Sequence, residues 1–300
     1  MSELFTISEK YNPARVSEKQ KPLVVNSGSP YIYKVYRLFT GNIQLTDSLS
    51  KKTFTINDDI LSSIYKRRGP FYSKITKYIS EEISNVELAK AIDDRPSSNR
   101  NYNLYLELYC ELASMHIAYQ NGDYFKSFIH IYRVLERIAY AFPMIYARKT
   151  CDFSRTYSLL KSFLESKDKG ELGFFRKALN VIYKDDDILK FTYEIDLTTY
   201  AKLNLQDKFF EVYTKKLFPG DTILDPTTDN TKIVINFINV GDAIITTRNK
   251  IVHSLSDGDK LLCSDFIDLN VFLKSAIKPY FAWFSVLFLE ILRDNYNGFA

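Results

Sequence analysis

From about residue 80 onward, apolar residues recur three and four positions apart and Gly and Pro become scarce, a pattern that predicts helices. The first strong segment runs from about Asn101 to Gln120, where Leu104, Leu108, Leu112, Met115 and Tyr119 form a single apolar stripe. Asn121-Gly122-Asp123 follows as a turn, with Asp123 placed as an N-cap. A second helix is predicted from Tyr124 towards Ala147 through Phe125, Phe128, Tyr132, Leu135 and Ala139, with Pro143 expected to kink or end it. Joined by so short a polar turn, the two read as an antiparallel hairpin. Shorter amphipathic pieces are expected around Leu159 to Leu164, Phe174 to Tyr183 and Phe209 to Leu217, and Pro219 to Asn230 reads as an exposed loop. Thr231 to His253 is ambiguous, because Lys232 to Val240 is β-branched enough for a strand. The spacing of Phe237, Val240, Ile244, Ile251 and Leu255 decides for helix. A last apolar helix is predicted from about Asp265 to Asn295, bent near Pro279.

The first eighty residues are different. Short β-branched and aromatic runs, such as Tyr31 to Leu38 and Lys52 to Ile56, are broken by Gly28, Pro30, Gly41, Gly69 and Pro70, so a small mixed α/β region with some strand is expected. The predicted organisation is therefore mainly α: a basic N-terminal mixed region over residues 1–80, with a role in recognition or regulation, and a helical domain over residues 81–300.

Charge sharpens this division. The net charge of +4 is too small to argue for a chain-wide polyanion-binding surface. Residues 1–80 nevertheless hold 13 Lys/Arg against 6 Asp/Glu, leaving 27 against 30 for the remainder, so the surplus is N-terminal. Much of it comes from Lys66-Arg67-Arg68, flanked by Tyr65, Phe71 and Tyr72, an interleaving that suits phosphate contact with base stacking and equally suits a solvated basic loop. Cys110, Cys151 and Cys263 are far apart and make no CxxC pair, so neither a disulfide framework nor a zinc site is suggested. The Met1 region lacks the pattern of a signal peptide, and Tyr280 to Leu289 is too short to span a bilayer; a soluble cytoplasmic protein without membrane association is expected.

One string carries candidate chemistry: Arg248-Asn249-Lys250-Ile251-Val252-His253. On a continuous helix Asn249 and His253 share a face, with Arg248 roughly 140° around from His253 at about 100° per residue. An imidazole exchanges protons near neutral pH, an arginine grips a phosphate oxygen bidentately, and an amide can orient either. With no Asp/Glu cluster of metal-site type nearby, such a trio suits RNA cleavage with the ribose 2′-OH as nucleophile, giving a 2′,3′-cyclic phosphate and a 5′-OH. A bare Arg-x(4 to 6)-His pattern arises by chance about 0.4 times in such a chain, and about 0.02 times once Asn must follow Arg.

The string resembles the R-[N/D/H]-x(3 to 4)-H motif of the HEPN superfamily. Phe125-Lys-Ser-Phe-Ile-His-Ile-Tyr-Arg-Val-Leu-Glu136 is likewise similar to the second helix of HEPN domains associated with phage defence. The resemblance spans roughly residues 100–295. It implies a HEPN-like helical bundle and a metal-independent endoribonuclease needing no cofactor, in a toxin or antiviral defence role. It also implies a homodimer whose two Arg/His pairs face one RNA cleft, with an antitoxin or defence-system protein as a further partner. In these terms His253 is the general acid/base, Arg248 the phosphate binder, Asn249 the orienting residue, and Glu136 a polar assistant from the second helix. Lys250, with Lys66, Arg67 and Arg68, would hold RNA. Two departures stand out: about a hundred residues separate the second helix from the motif, and Leu255 replaces the Tyr of toxins modified by a partner nucleotidyltransferase.

Each residue also has a plainer reading. His253 suits a helix C-terminus, where the macrodipole favours it; Arg248 suits a salt bridge with Asp242 or Asp257; Glu136 suits ion pairing with Arg133 or Arg137; His116 and His130 suit packing or solvent. The alternative function is accordingly a non-catalytic HEPN-like helical protein that binds RNA, a nucleotide or a partner protein.

Overall fold

The structure, a computed structural model, describes residues 4–16, 21, 23–57, 60–61, 101–149, 152–164, 173–184, 187–218, 230–252 and 268–297. Helices dominate, accompanied by two small antiparallel sheets. By compactness the chain divides into two units, residues 1–121 with 284–300, and residues 122–283. The domain boundary expected near residue 80 lies outside the described residues.

In the first unit, β1 (Phe5–Glu9), β2 (Ile43–Asp47) and β3 (Thr53–Ile56) form an antiparallel sheet in that order, with Ile7 opposite Leu45 and Leu45 opposite Phe54. Tyr31 to Leu38, grouped above with the strand-like runs, is instead α1 (Tyr31–Thr40). The run is rich in β-branched and aromatic residues, which favour strand by propensity, although its polar members Lys34, Arg37 and Thr40 stand three apart, the helical period; Ile32 to Thr40 are all buried. Even Lys34 and Arg37 lie inside. Arg37 Nη2 meets Glu9 Oε2 at 2.8 Å, and Glu9 Oε1 also accepts from the Val25 N–H at 2.9 Å. The Lys34 ammonium lies 4.5 Å from the Tyr31 ring and donates to the Ser27 carbonyl. α2 (Tyr102–Gln120) packs on α1, with Tyr31 set against Tyr102 and Tyr109 at 5.3 and 5.5 Å. At the C-terminal end of the chain Phe288 packs on Phe39 and Tyr105.

The second unit begins with the predicted turn. Gly122 has φ +76°, a left-handed conformation in which an L side chain is strained, and Asp123 accepts the Lys126 N–H at 3.0 Å as an N-cap. α3 (Tyr124–Lys149) then runs through Pro143 rather than ending there. Its N-terminus has a second cap from outside, because Asn270 Oδ1 accepts the Phe125 N–H at 2.9 Å while its amide donates to the Gly122 carbonyl. α4 (Phe153–Leu164), α5 (Gly173–Ile182) and the short α6 (Gln206–Glu211) fill the expected amphipathic stretches. α6 continues as a π-helical turn, Val212–Leu217.

Lys232 to Asn236, predicted as the start of a helix, is a strand. β4 (Thr192–Asp196) and β5 (Lys232–Asn236) pair antiparallel, Tyr193 opposite Ile235 and Ile195 opposite Ile233. A partner strand for the Ile233-Val234-Ile235 run overrides the helical spacing downstream. Only after a 3-10 turn does α7 (Val240–Val252) begin. Gly241 permits its close approach to the core, since a Cβ there would come within 3.3 Å of the Trp283 ring.

α8 (Leu269–Asn297) contains Pro279, as predicted, and contributes residues to both units. Over Leu269–Leu292 it is long and apolar enough to cross a membrane, but of the 18-residue window that carries its mean hydropathy of 1.3, 83% is buried inside the protein. It is a core helix. In the turn before Pro279 the Tyr200 hydroxyl donates to the Val271 carbonyl at 2.9 Å and accepts the Ser275 N–H at 3.1 Å. A side-chain hydroxyl thus stands between the two backbone groups that an ordinary helical turn would join directly.

Candidate functional site

α7 is anchored at its start and carries the candidate string at its end. Arg176 on α5 bonds Asp242 Oδ2 at 2.7 Å and Asn239 Oδ1 at 2.9 Å, so the carboxylate in the first turn is held where the helix dipole favours it. Val240, Ala243, Ile244 and Thr247 are buried along one side, and the Thr247 hydroxyl donates to the Ala243 carbonyl at 2.7 Å. The Tyr280 hydroxyl, also wholly buried, is pushed far above the usual phenol pKa by loss of hydration.

The exposed side presents Arg248, Asn249 and Lys250. The Arg248 guanidinium lies over the Tyr132 ring of α3, 4.9 Å from its centroid, and Nη1 donates to Asn249 Oδ1 at 3.0 Å. Asn249 is exposed and Arg248 half-buried. Asp242, one of the two carboxylates considered for Arg248, is engaged by Arg176. Lys250 reaches back to the Lys216 carbonyl at the end of the π-helical turn. That contact gives it a structural task, because it supplies a donor to a carbonyl at a helix C-terminus. Glu136, half-buried, stands one helical turn beyond Tyr132 on the same side of α3.

The site therefore brings together Arg248 and Asn249 directly, and places Glu136 on the helix that supports Arg248. His253, Lys66, Arg67 and Arg68 lie outside the described residues, as does Asp257. Of the other histidines, His116 is buried and His130 half-buried. Among the described residues no group of three His, Cys, Asp or Glu is arranged to hold a metal ion. Sequence reasoning missed Tyr132 as the partner of Arg248: it belongs by spacing to the apolar stripe of its helix, and nothing local marks a ring that will face an arginine from a distant segment. It also missed Arg176 and Asn239, which fix the start of α7.

Comparison of the chain with protein-family models, with curated proteins and with solved structures gives no match.

Proposed function

We propose that the chain is a metal-independent endoribonuclease that cleaves single-stranded or looped RNA, serving as a toxin or an antiviral defence factor and acting as a homodimer. The observation that supports this reading is Arg248, a guanidinium lying over the Tyr132 ring and tied to Asn249 near the end of α7. An arginine held by its face keeps its donors in a defined plane, the requirement for bidentate grip on a non-bridging phosphate oxygen. The His253 imidazole, in the next turn of sequence, takes the proton of the ribose 2′-OH. The 2′ oxygen then bonds to phosphorus, the bond to the 5′ oxygen breaks, and the leaving oxygen accepts a proton from an imidazolium or water. Both negative charges of the pentacoordinate state fall to Arg248 for stabilisation. Asn249 orients Arg248, and the Glu136 carboxylate acts from the flank of α3.

Incubation of wild type and His253→Ala with total RNA in the presence of EDTA, followed by mapping of the ends, tests this. Cleavage by wild type alone, leaving cyclic phosphate and 5′-OH ends, is expected. Equal cleavage by both proteins, or loss of wild-type cleavage on chelation, removes the mechanism and leaves the helical bundle as a binding protein.

A further inference from the structure

α3 is the most one-sidedly charged helix of the described chain. From Tyr124 to Lys149 it carries Lys126, Arg133, Arg137, Arg148 and Lys149 against a single acid, Glu136. At about 100° per residue, Lys126, His130, Arg133, Arg137, Tyr140 and Met144 fall within roughly 40° of one line along the helix. That line is its solvent face: Lys126, Arg133 and Arg137 are exposed, as are Tyr140 and Met144, at 51% and 71%. Glu136 lies off it, on the side facing Tyr132 and Arg248. The stripe extends for ~27 Å at ~1.5 Å per residue.

We infer that this face is a track for single-stranded RNA, with Lys126, Arg133 and Arg137 on successive phosphates and Tyr140 as a platform for a base. Tyr140 is suited to that task because Phe174 supports its ring, centroid to centroid at 5.5 Å, while half of the side chain stays open to solvent. An anionic bilayer is the competing polyanion. Insertion of the helix into it would demand apolar residues along the face, whereas on this face Lys126, His130, Arg133 and Arg137 are polar and only the end carries Tyr140 and Met144. The choice of RNA over DNA rests on the ribonuclease reading. The stripe itself does not.

Binding is measured in the His253→Ala background, so that the probe stays intact, by fluorescence anisotropy of a labelled RNA of about 12 nucleotides, titrated between about 50 and 200 mM salt. The triple variant K126Q/R133Q/R137Q is expected to bind more weakly, with the slope of log affinity against log salt reduced by about 2, or ~0.7 for each phosphate that is no longer neutralised. R133K/R137K keeps the slope, which separates charge from fold, and Tyr140→Ala weakens binding with the slope unchanged. Unchanged affinity and slope in the triple variant overturn the inference. So does undetectable RNA binding at the lowest salt, or retention of the protein on phosphatidylserine vesicles but not on RNA. Failure of the cleavage reading shows elsewhere: His253→Ala would cut RNA as well as wild type whatever the slope does.

Discussion

The stacking of Arg248 on Tyr132 can be measured without assuming any activity. A double-mutant cycle of Tyr132→Leu, Arg248→Gln and the pair isolates it, because Leu keeps an apolar side chain against the helix while removing the π face, and Gln keeps length and polarity while removing the cation. A cation over a ring contributes ~0.5–1 kcal/mol where water has access and ~2 kcal/mol or more when desolvated. With the guanidinium 4.9 Å from the centroid and Arg248 half-buried, a coupling of about 1 kcal/mol is expected. Urea unfolding at 25 °C followed by far-UV circular dichroism gives the four stabilities, provided that the slopes agree across the set. The same coupling should appear in catalysis, since a guanidinium released from the ring must be reoriented at each turnover: Tyr132→Leu then lowers kcat/KM for RNA by about fivefold, the equivalent of ~1 kcal/mol. A coupling below ~0.3 kcal/mol, within the scatter of unrelated sites, would refute the stacking and with it the orientation assigned to Arg248.

Three further outcomes follow from buried polar groups. Glu9→Gln leaves the Arg37 guanidinium, fully buried, without its carboxylate and is expected to cost about 3–5 kcal/mol in denaturant unfolding, whereas the paired change Glu9→Leu with Arg37→Met should recover most of that loss; a cost under ~1 kcal/mol would show that the pair is hydrated. Tyr200→Phe withdraws the hydroxyl between the Val271 carbonyl and the Ser275 N–H and should destabilise by about 1–3 kcal/mol, while a loss under ~0.5 kcal/mol would mean that the helical bond closes in its place. Burial raises the pKa of Tyr36, Tyr200, Tyr213 and Tyr280 above the ordinary 10.0, so the folded chain keeps phenolic protons that the unfolded chain releases; stability is full below pH 10.0 and declines as pH rises above it. Absorbance at 295 nm should then show these phenolates appearing together with loss of helical circular dichroism, and gradual ionisation of all 22 tyrosines without unfolding would contradict the burial.

The helices legible in the sequence are those with one wet face. α3 shows its Asn121-Gly122-Asp123 entry where the pattern places it, while of its predicted stripe Phe128, Leu135 and Ala139 are buried and Phe125 and Tyr132 only half-buried. α1 is hidden by its β-branched and aromatic composition, and β5 because a run of three β-branched residues, Ile233 to Ile235, is decided by whether another strand lies alongside, which spacing within the run cannot report. Of the two readings of Pro143, kink or terminator, the terminator is ruled out, because α3 continues beyond it to Lys149. At the site, Arg248 and Asn249 stand out through their order and spacing. Tyr132 cannot, since its role exists only once α3 and α7 are packed together.

That packing gives α3 three faces with separate tasks. Phe128, Ile131, Leu135, Ile138 and Phe142 fill the core; Lys126, Arg133, Arg137 and Tyr140 face solvent; Tyr132 and Glu136 lie between them, towards α7. On this intermediate face the Tyr132 ring lies under Arg248. A ring under the guanidinium holds it without cancelling its formal charge, as a carboxylate in that place would. On the proposed track Glu136 would mark the border: a strand lying along Arg133 and Arg137 would meet that carboxylate, one turn from Tyr132, on its way to Arg248. If RNA follows the proposed track, like-charge repulsion disfavours a phosphate at this point and favours one on either side, which would set the backbone position presented to Arg248.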